Sequence, residues 1–347
     1  MPRPIANTEK STEFNMNNIA HFPGFVDYPK LDVTALRQAA SGASNATIEL
    51  KNLFIQTQYL PTLYNRVIDV DSAIRSAHYK MRDVIQTLDI SIGIKLNVLR
   101  QYQAELESAH RSEVEEILED INVKVAEIID AVNKNNAVLN RMLAPMKQAV
   151  DRASTEGFLA QLSADQERLP LEIDAIKERQ QTLEQKRKAL TEAMALIENK
   201  GFAQLGKDTI LSAQELAKLG IAGPEVAIVE KGIELAHEAL EKLENATNYF
   251  NLIEARNKIR KQINDLITLV NDKNSELRLS QLRSRLIQAC HQFDEHREAY
   301  IGEFMKLILG KQSFLDVYRA VDVQDQDSVR QFAVDALALI GYLKAAV

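Results

Sequence analysis

The sequence has no tryptophan, a single cysteine (Cys290), and few glycines or prolines. A lone cysteine excludes a disulfide framework and a cysteine-based metal site within the chain. Cys290 lies in a segment of helical periodicity, and we interpret it as a small core residue. No window has about 18 consecutive apolar residues, the length that a spanning helix requires, so we predict no constitutive transmembrane helix.

An excess of positive charge is also missing. The formal net charge is -7, from 42 Lys and Arg against 49 Asp and Glu. Because phosphate binding needs clustered positive charge, this balance argues against nucleic acid as the main partner. The sequence contains no His-Glu-x-x-His motif, P-loop or Gly-x-Ser-x-Gly motif, and His291 and His296 are not on one helical face. We therefore expect no enzymatic activity, no metal site and no cofactor.

Two charge clusters have two interpretations each. The acidic cluster Glu115, Glu116, Glu119 and Asp120 is a solvated helix face or, much less favourably, a carboxylate metal site. The basic cluster Arg256, Lys258, Arg260 and Lys261 is a solvated face or a contact for anionic lipid headgroups.

What the sequence does contain is helical periodicity throughout, with no strand signal. Residues 1–31 form a polar arm, flexible or loosely docked. The first helix is predicted after Asp32, with a break around Gly42 and an end before Pro61. A final helix from about Ser328 is apolar nearly all round and is predicted inside a bundle.

The region from 63 to about 154 has two apolar stripes typical of coiled coils. We predict one long helical run, with a phase shift and a bend near Gly93 and a kink or end at Pro145. The stripes are Val67, Val70, Ile74, Ala77, Met81, Val84 and Leu88, followed by Val114, Ile117, Ile121, Val125, Ile128, Val132, Leu139 and Met142.

Two further charged helices flank a glycine-rich region. The first extends from Gly157 to about Lys200, punctuated by Pro170, and the second from Asn245 to about Leu309, loosened at its end by Gly302 and Gly310. Together these patterns predict an all-α protein, an elongated rod of long antiparallel coiled-coil helices. A helical-bundle tail and neck (32–200 and 245–347) would lie at one end and an amphipathic hairpin tip (201–244) at the other.

The hairpin tip holds five of the twelve glycines. Its Gly220–Pro224 segment is a turn signal between two amphipathic helices. One interpretation is a buried helix pair in a bundle. The other is a hairpin that enters a bilayer after a conformational change, although its apolar part before the turn is short for a hydrocarbon core of about 30 Å. Phe332 to Val347 is a second membrane candidate, which the bundle core suits better.

These features resemble the alpha-helical pore-forming toxins of the cytolysin A superfamily, and within it the smaller B component of binary xenorhabdolysin-type toxins. The resemblance implies a component that assembles with a larger A component into a hetero-oligomeric ring in the lipid bilayer of a target cell. It implies lipid contact by Phe202, Leu205, Ile210, Leu211, Leu216, Leu219, Ile221, Val226, Ile228 and Val229. It implies hinge or turn positions at Gly201, Gly206, Gly220, Gly223, Pro224 and Gly232.

Two other functions stay open beside this one. A coiled-coil scaffold or adaptor would associate with no membrane, and a membrane-curving crescent dimer would need a basic concave face that the charge pattern does not supply. The first 18 residues have no apolar region, so we expect release without a conventional signal peptide. Because the hairpin is weakly hydrophobic, we expect insertion to depend on the partner.

Overall fold

The computed structural model describes residues 19–20, 26–200, 209–241 and 247–347. The described residues confirm the all-α prediction. Two short strands, which the sequence did not predict, pair antiparallel with Ile19 opposite Pro29. In chain order the elements are β1 Ile19–Ala20, β2 Tyr28–Pro29, α1 Val33–Thr57, α2 Pro61–Ser108, α3 Val114–Met146, α4 Arg152–Asn199, α5 Ala213–Lys218, α6 Pro224–Leu240, α7 Tyr249–Val317 and α8 Gln326–Lys344.

The chain divides into two compact units. The first unit comprises the described residues up to Thr155 together with Arg285–Val347, and the second unit comprises those between Glu156 and Ser284. Each unit has its own buried apolar residues. The hairpin that the sequence singles out belongs to the second unit.

The long run predicted from 63 to 154 is two helices. The chain reverses at residues 109–113, which include no glycine or proline, and α2 and α3 pack against each other in the first unit. The Asn135 side chain on α3 donates a hydrogen bond to the Val84 carbonyl on α2 (2.8 Å). The bend predicted near Gly93 is wrong, since α2 continues through it. The seams themselves are correct in most positions, and Ile74 and Ile128 are fully buried.

Several predicted helix breaks are also absent. Gly42, Pro170, Gly302 and Gly310 all lie inside continuous helices. At Gly42 a β-carbon would overlap the imidazole of His296, so this glycine permits close approach of α1 and α7. Pro145 does lie in the last turn of α3, which ends at Met146 as predicted.

The described end of the N-terminal arm is docked on the first unit. Tyr28 is fully buried. Its ring stacks on Tyr342 with centroids 4.9 Å apart, and its hydroxyl donates to the Asp335 carbonyl (3.3 Å). Residues 26–31 are therefore attached to α8 by aromatic packing, which is tighter than the loose docking that the sequence suggests.

The C-terminal helix α8 packs as the bundle interpretation predicts. Asp325 caps its N-terminus by accepting from the Ser328 amide (3.1 Å), and Phe332 and Leu339 are fully buried. Cys290 on α7 is fully buried as well, and this burial raises the pKa of its thiol to about 12. The interpretation of Cys290 as a core residue is confirmed.

Candidate functional site

The hairpin, defined here as residues 209–241, lies in the second unit between α4 and α7. Among the described residues before its turn, the helix is shorter than predicted. Residues 209–212 are not helical: Ile210 forms an isolated bridge with Asn248, and the Leu211 amide donates to the Thr247 carbonyl (2.8 Å). The prediction of an amphipathic helix before the turn is wrong at residues 209–212, because these backbone groups pair with the chain that leads into α7.

The short helix α5 has well-formed ends. The Ser212 hydroxyl accepts from the Glu215 amide (3.3 Å) at its N-terminus, the pairing expected of a capping serine. At its C-terminus the Ile221 amide donates to the Leu216 carbonyl (3.1 Å) and the Gly220 amide to the Ala217 carbonyl (3.0 Å). This pair of bonds is the Schellman motif, so the reversal after α5 is encoded locally.

The turn contains two glycines with positive φ. Gly220 has φ +70° and Gly223 has φ +63°, values that side chains rarely adopt. Pro224 follows at the first turn of α6, where its missing amide leaves no bond unmade. The hinge role of these positions stays a prediction. Gly201 and Gly206, together with Phe202 and Leu205, lie outside the described residues.

Most of the described candidates for lipid contact are buried in this conformation. Ile210 and Ile228 are the exceptions, with exposed fractions of 51% and 39%. Val226 is partly buried against the same apolar cluster. The buried candidates are Leu211, Leu216, Leu219, Ile221 and Val229. Their contact with lipid stays a prediction. Because these side chains are buried here, lipid contact would require the hairpin to move away from α4 and α7.

The apolar cluster of the second unit joins the hairpin to the two long helices that flank it. It combines the buried hairpin residues with α4 and α7, so the hairpin is packed as a helix pair within a bundle. The contributing residues are Leu190, Met194 and Ile197 from α4, and Tyr249, Leu252, Ala255, Ile259 and Ile263 from α7.

Helix α6 lies close to α4 at Gly232. A β-carbon built on Gly232 would overlap the β-carbon of Ala193, so the two helices touch through small residues. The resemblance implies a hinge or turn at Gly232, and that role stays a prediction. In this conformation Gly232 lies inside α6, where it permits this close approach. Ala193 was missed, because an alanine in a charged helix carries no signal of its partner.

Three ion pairs bind the rim of α6 to its neighbours, and we call them the α6 ion pairs. Lys200, directly after α4, pairs with Glu225 of α6 (3.0 Å). Lys186 of α4 pairs with Glu238 of α6. The third joins Lys258 of α7 to Glu241 at the end of α6 (3.7 Å). The order of the α4 contacts shows that α4 and α6 are antiparallel.

These pairs reflect a wider separation of charge. Residues 224–241 carry five glutamates and one lysine, whereas the opposing stretch 254–261 of α7 carries four basic residues and one glutamate. The sequence marked this basic cluster as a solvated face or a lipid contact. In the structure Lys258 is engaged with Glu241, while Arg260 and Lys261 are exposed.

A polar contact fastens the start of α7. The Tyr249 hydroxyl donates to the Glu198 carboxylate of α4. Burial, followed by this hydrogen bond, raises the pKa of Tyr249 to about 12, so the phenol stays protonated and keeps donating at neutral pH. Close by, the Thr247 hydroxyl lies 2.8 Å from His237 Nε2 on α6. The hairpin is thus held by both apolar and polar contacts.

No helix among the described residues is at once long and apolar enough to span a membrane. Those residues also contain no group of three or more His, Cys, Asp or Glu side chains placed to hold a metal ion. His291 and His296 have separate neighbours: His291 Nε2 is 2.8 Å from the Thr155 hydroxyl, and His296 lies under Gly42.

The fold is similar to that of several solved structures. No family model matches the sequence, and no curated protein matches it either. Among solved structures, XaxB from Xenorhabdus nematophila has a TM-score of 0.77 at 20% identity, covering 91% of this chain and 97% of that one. PaxB from Photorhabdus luminescens has a TM-score of 0.66 at 19% identity, covering 91% and 98%.

An assembled relative is similar as well. The XaxAB pore complex from Xenorhabdus nematophila matches with a TM-score of 0.63 at 19% identity, covering 92% of this chain and 97% of that chain. The chain therefore has the fold of these B components along nearly its whole length, which confirms the resemblance at the level of fold.

Proposed function

We propose that this chain is the smaller component of a two-part pore-forming toxin. It would assemble with a larger helical partner into a ring in the membrane of a target cell. The observation that carries the proposal is the fold shared over 91% of the chain with XaxB and found again in the XaxAB pore complex. No catalytic reaction is assigned to the chain.

The conformation of the hairpin supports a step of rearrangement. Its large apolar side chains fill the core of the second unit, and no described helix would span a bilayer as it is. A ligand shifts a conformational equilibrium only when it binds one state better. Membrane and partner together would supply that preference, by contacting apolar surface that the closed hairpin keeps buried.

A tether between α4 and α6 tests this step. Thr182 on α4 and Ala239 on α6 line the same surface cavity, so cysteines at both positions can be joined by a reducible bis-maleimide linker. Cys290 does not interfere, because it is fully buried and its thiol pKa is about 12. Lysis of red cells with the candidate partner should disappear in the tethered protein and return after reduction.

Each single-cysteine variant, treated with the same linker, is the matched control and should lyse like the unmodified protein. Unchanged lysis by the doubly tethered protein would refute movement of α6 away from α4. It would leave open only a pore in which the hairpin keeps its closed form.

Lipid contact is tested at the exposed candidates, because charging the buried ones would damage the core. Ile210→Asp and Ile228→Asp should leave the fold intact and reduce lysis. Leu171→Asp is the control: Leu171 lies on α4 in the same unit, is 72% exposed and is outside the hairpin. Equal lysis by all three variants would remove these two side chains from the membrane-contacting set.

The partner requirement is tested by dye release from liposomes, with the chain alone and with the larger candidate partner. Release only in the mixture would support a two-part toxin. No release and no liposome association in either condition, on several lipid mixtures, would favour the alternative of a scaffold or adaptor protein.

A further inference from the structure

We infer that the α6 ion pairs form a surface that recognises anionic lipid headgroups, and that headgroup binding by their lysines releases α6. This inference rests on the proposed function, since it adds a lipid preference and a trigger to the rearrangement of the hairpin. The ligand is a phosphate or carboxylate group of a lipid headgroup on a membrane surface. This anion would replace the glutamates of α6 next to Lys186, Lys200 and Lys258.

The geometry gives each end of α6 an ion pair of this kind. Lys200 and Glu225 meet near its N-terminus, and Lys186 and Glu238 meet about three and a half turns further along. All four side chains are partly exposed, with fractions between 29% and 59%. An exposed pair contributes little to stability and exchanges its partner readily, so an external anion can compete with the glutamate.

Between these pairs α6 is held by apolar packing and the contact of Gly232 with Ala193. When the lysines of the α6 ion pairs bind headgroups, the glutamates of those pairs lose their partners. Glu225, Glu238 and Glu241 are then unpaired, on a segment (224–241) that holds five glutamates and one lysine, and a negatively charged surface repels them. Attraction of the lysines and repulsion of α6 act in the same direction, and both favour separation of α6 from α4.

The sign and position of charge favour a membrane surface over a soluble anion. Lys258 continues into the exposed Arg260 and Lys261, so the basic residues extend along the start of α7 beyond the ion pairs themselves. A headgroup surface engages several of these side chains at once, whereas a free phosphate engages one. Basic residues near an anionic leaflet each add to binding in this way.

The direct test measures the separation of α4 and α6 without requiring a pore. Spin labels on Ala195→Cys and Ala227→Cys report their distance in the full-length chain. We expect the distance distribution to shift to longer values with phosphatidylserine-containing vesicles. Phosphatidylcholine vesicles alone and inorganic phosphate should both leave it unchanged. An unchanged distance on phosphatidylserine would overturn the inference, and an equal shift with inorganic phosphate would overturn its assignment to a membrane surface.

The role of the ion pairs is tested by neutralising their carboxylates. In Glu225→Gln/Glu238→Gln/Glu241→Gln α6 loses charges that an anionic surface repels, whereas its apolar packing should keep the labels at the closed distance in buffer. Vesicle binding by the unaltered chain should be on the order of tenfold tighter with phosphatidylserine than without it. In the triple variant phosphatidylserine should add little to the label distance. Retention of the full lipid-induced shift would contradict the inference.

A matched control removes the same number of charges elsewhere in the second unit. Glu172→Gln/Asp174→Asn/Glu276→Gln changes the net charge equally and breaks the α4–α7 ion pair of Glu172 with Lys273 (3.3 Å), but touches nothing on α6. It should keep the closed label distance in buffer and the full response to phosphatidylserine. A response as small as that of the α6 variant would assign the effect to net charge and overturn the inference.

These measurements separate the inference from the function on which it rests. Lipid-dependent separation of the labels without dye release, alone or with the partner, would keep the lipid-sensitive surface and refute the pore. Dye release that does not depend on phosphatidylserine would keep the pore and refute the surface.

Discussion

The close contact of α6 with α4 makes Gly232→Ala a strong test of the closed hairpin. In an exposed helix, replacing glycine by alanine stabilises by about 0.5–1 kcal/mol, because the unfolded chain loses freedom. At position 232 the added methyl would overlap the Ala193 β-carbon. Carbon atoms pack at about 3.5–4.0 Å, so α6 would have to move away by on the order of 1 Å.

Overpacking of this kind costs about 1–3 kcal/mol. We therefore expect Gly232→Ala to lower the free energy of unfolding by up to about 2 kcal/mol after the gain in helix propensity. Gly157→Ala is the control, because Gly157 also lies in a helix of the second unit and a β-carbon there meets nothing within 4 Å. That variant should be stabilised.

A double-mutant cycle isolates the contact. Ala193→Gly costs about 1 kcal/mol on its own, through helix propensity. Combined with Gly232→Ala it should relieve the overlap, which gives a favourable coupling of about 1–3 kcal/mol. The assay is urea unfolding followed by circular dichroism, with hydrogen exchange of α6 amides to locate the change. Equal stabilisation by Gly232→Ala and Gly157→Ala, with no coupling, would refute the close contact.

Three further predictions concern other parts of the chain. Burial lowers the pKa of Lys311 to about 7 from 10.5, so the unfolded state holds this proton more tightly. Between about pH 7 and pH 10.5 the free energy of unfolding should therefore rise with pH, by up to about 1.4 kcal/mol per pH unit. Urea titrations at several pH values should show that Lys311→Met lacks this contribution to the rise. Tyr28→Ala should lower the free energy of unfolding by about 3 kcal/mol through loss of the stack on Tyr342, whereas the exposed Tyr79→Ala should change it by less than about 0.5 kcal/mol; equal effects would contradict the docking of the arm. Ser212→Ala removes the cap of α5 and should cost about 1 kcal/mol, seen as faster hydrogen exchange of the Glu215 amide; unchanged exchange would argue against the cap.

The helical class and most seam positions could be predicted from the sequence, because they depend on the helical spacing of its apolar residues. The effect of each glycine could not. Gly220 and Gly42 look equally disruptive in the sequence, yet Gly220 reverses the chain with positive φ and Gly42 lies within α1. The difference lies in the partner: His296, which packs over Gly42, is remote in sequence and carries no local signal.

The start of the hairpin shows the same limit. The residues around Ile210 have helical periodicity, but the backbone there pairs with Asn248 and Thr247. Likewise, the glutamates of α6 have the spacing of a solvated face, and three of them are bound to lysines of other helices. Spacing predicts which side of a helix is polar, but the partner of each charge is decided by tertiary packing. The expected lipid contacts depend on a second conformation and remain a prediction.

The balance of forces in the closed hairpin explains why two triggers are needed. Six large apolar side chains of the hairpin are buried, and at about 1.5–3 kcal/mol each their exposure to water would cost on the order of 10 kcal/mol. Each exposed ion pair contributes only about 0.2–1 kcal/mol. Exchange of the lysines to lipid headgroups can therefore decide where α6 loosens, but it cannot compensate for emptying the core. That compensation must come from apolar surface supplied by the bilayer and the partner. On anionic vesicles the chain alone should separate α6 from α4 while the amides of Leu252 and Ile259 on α7 stay protected from hydrogen exchange, and loss of that protection should require the partner.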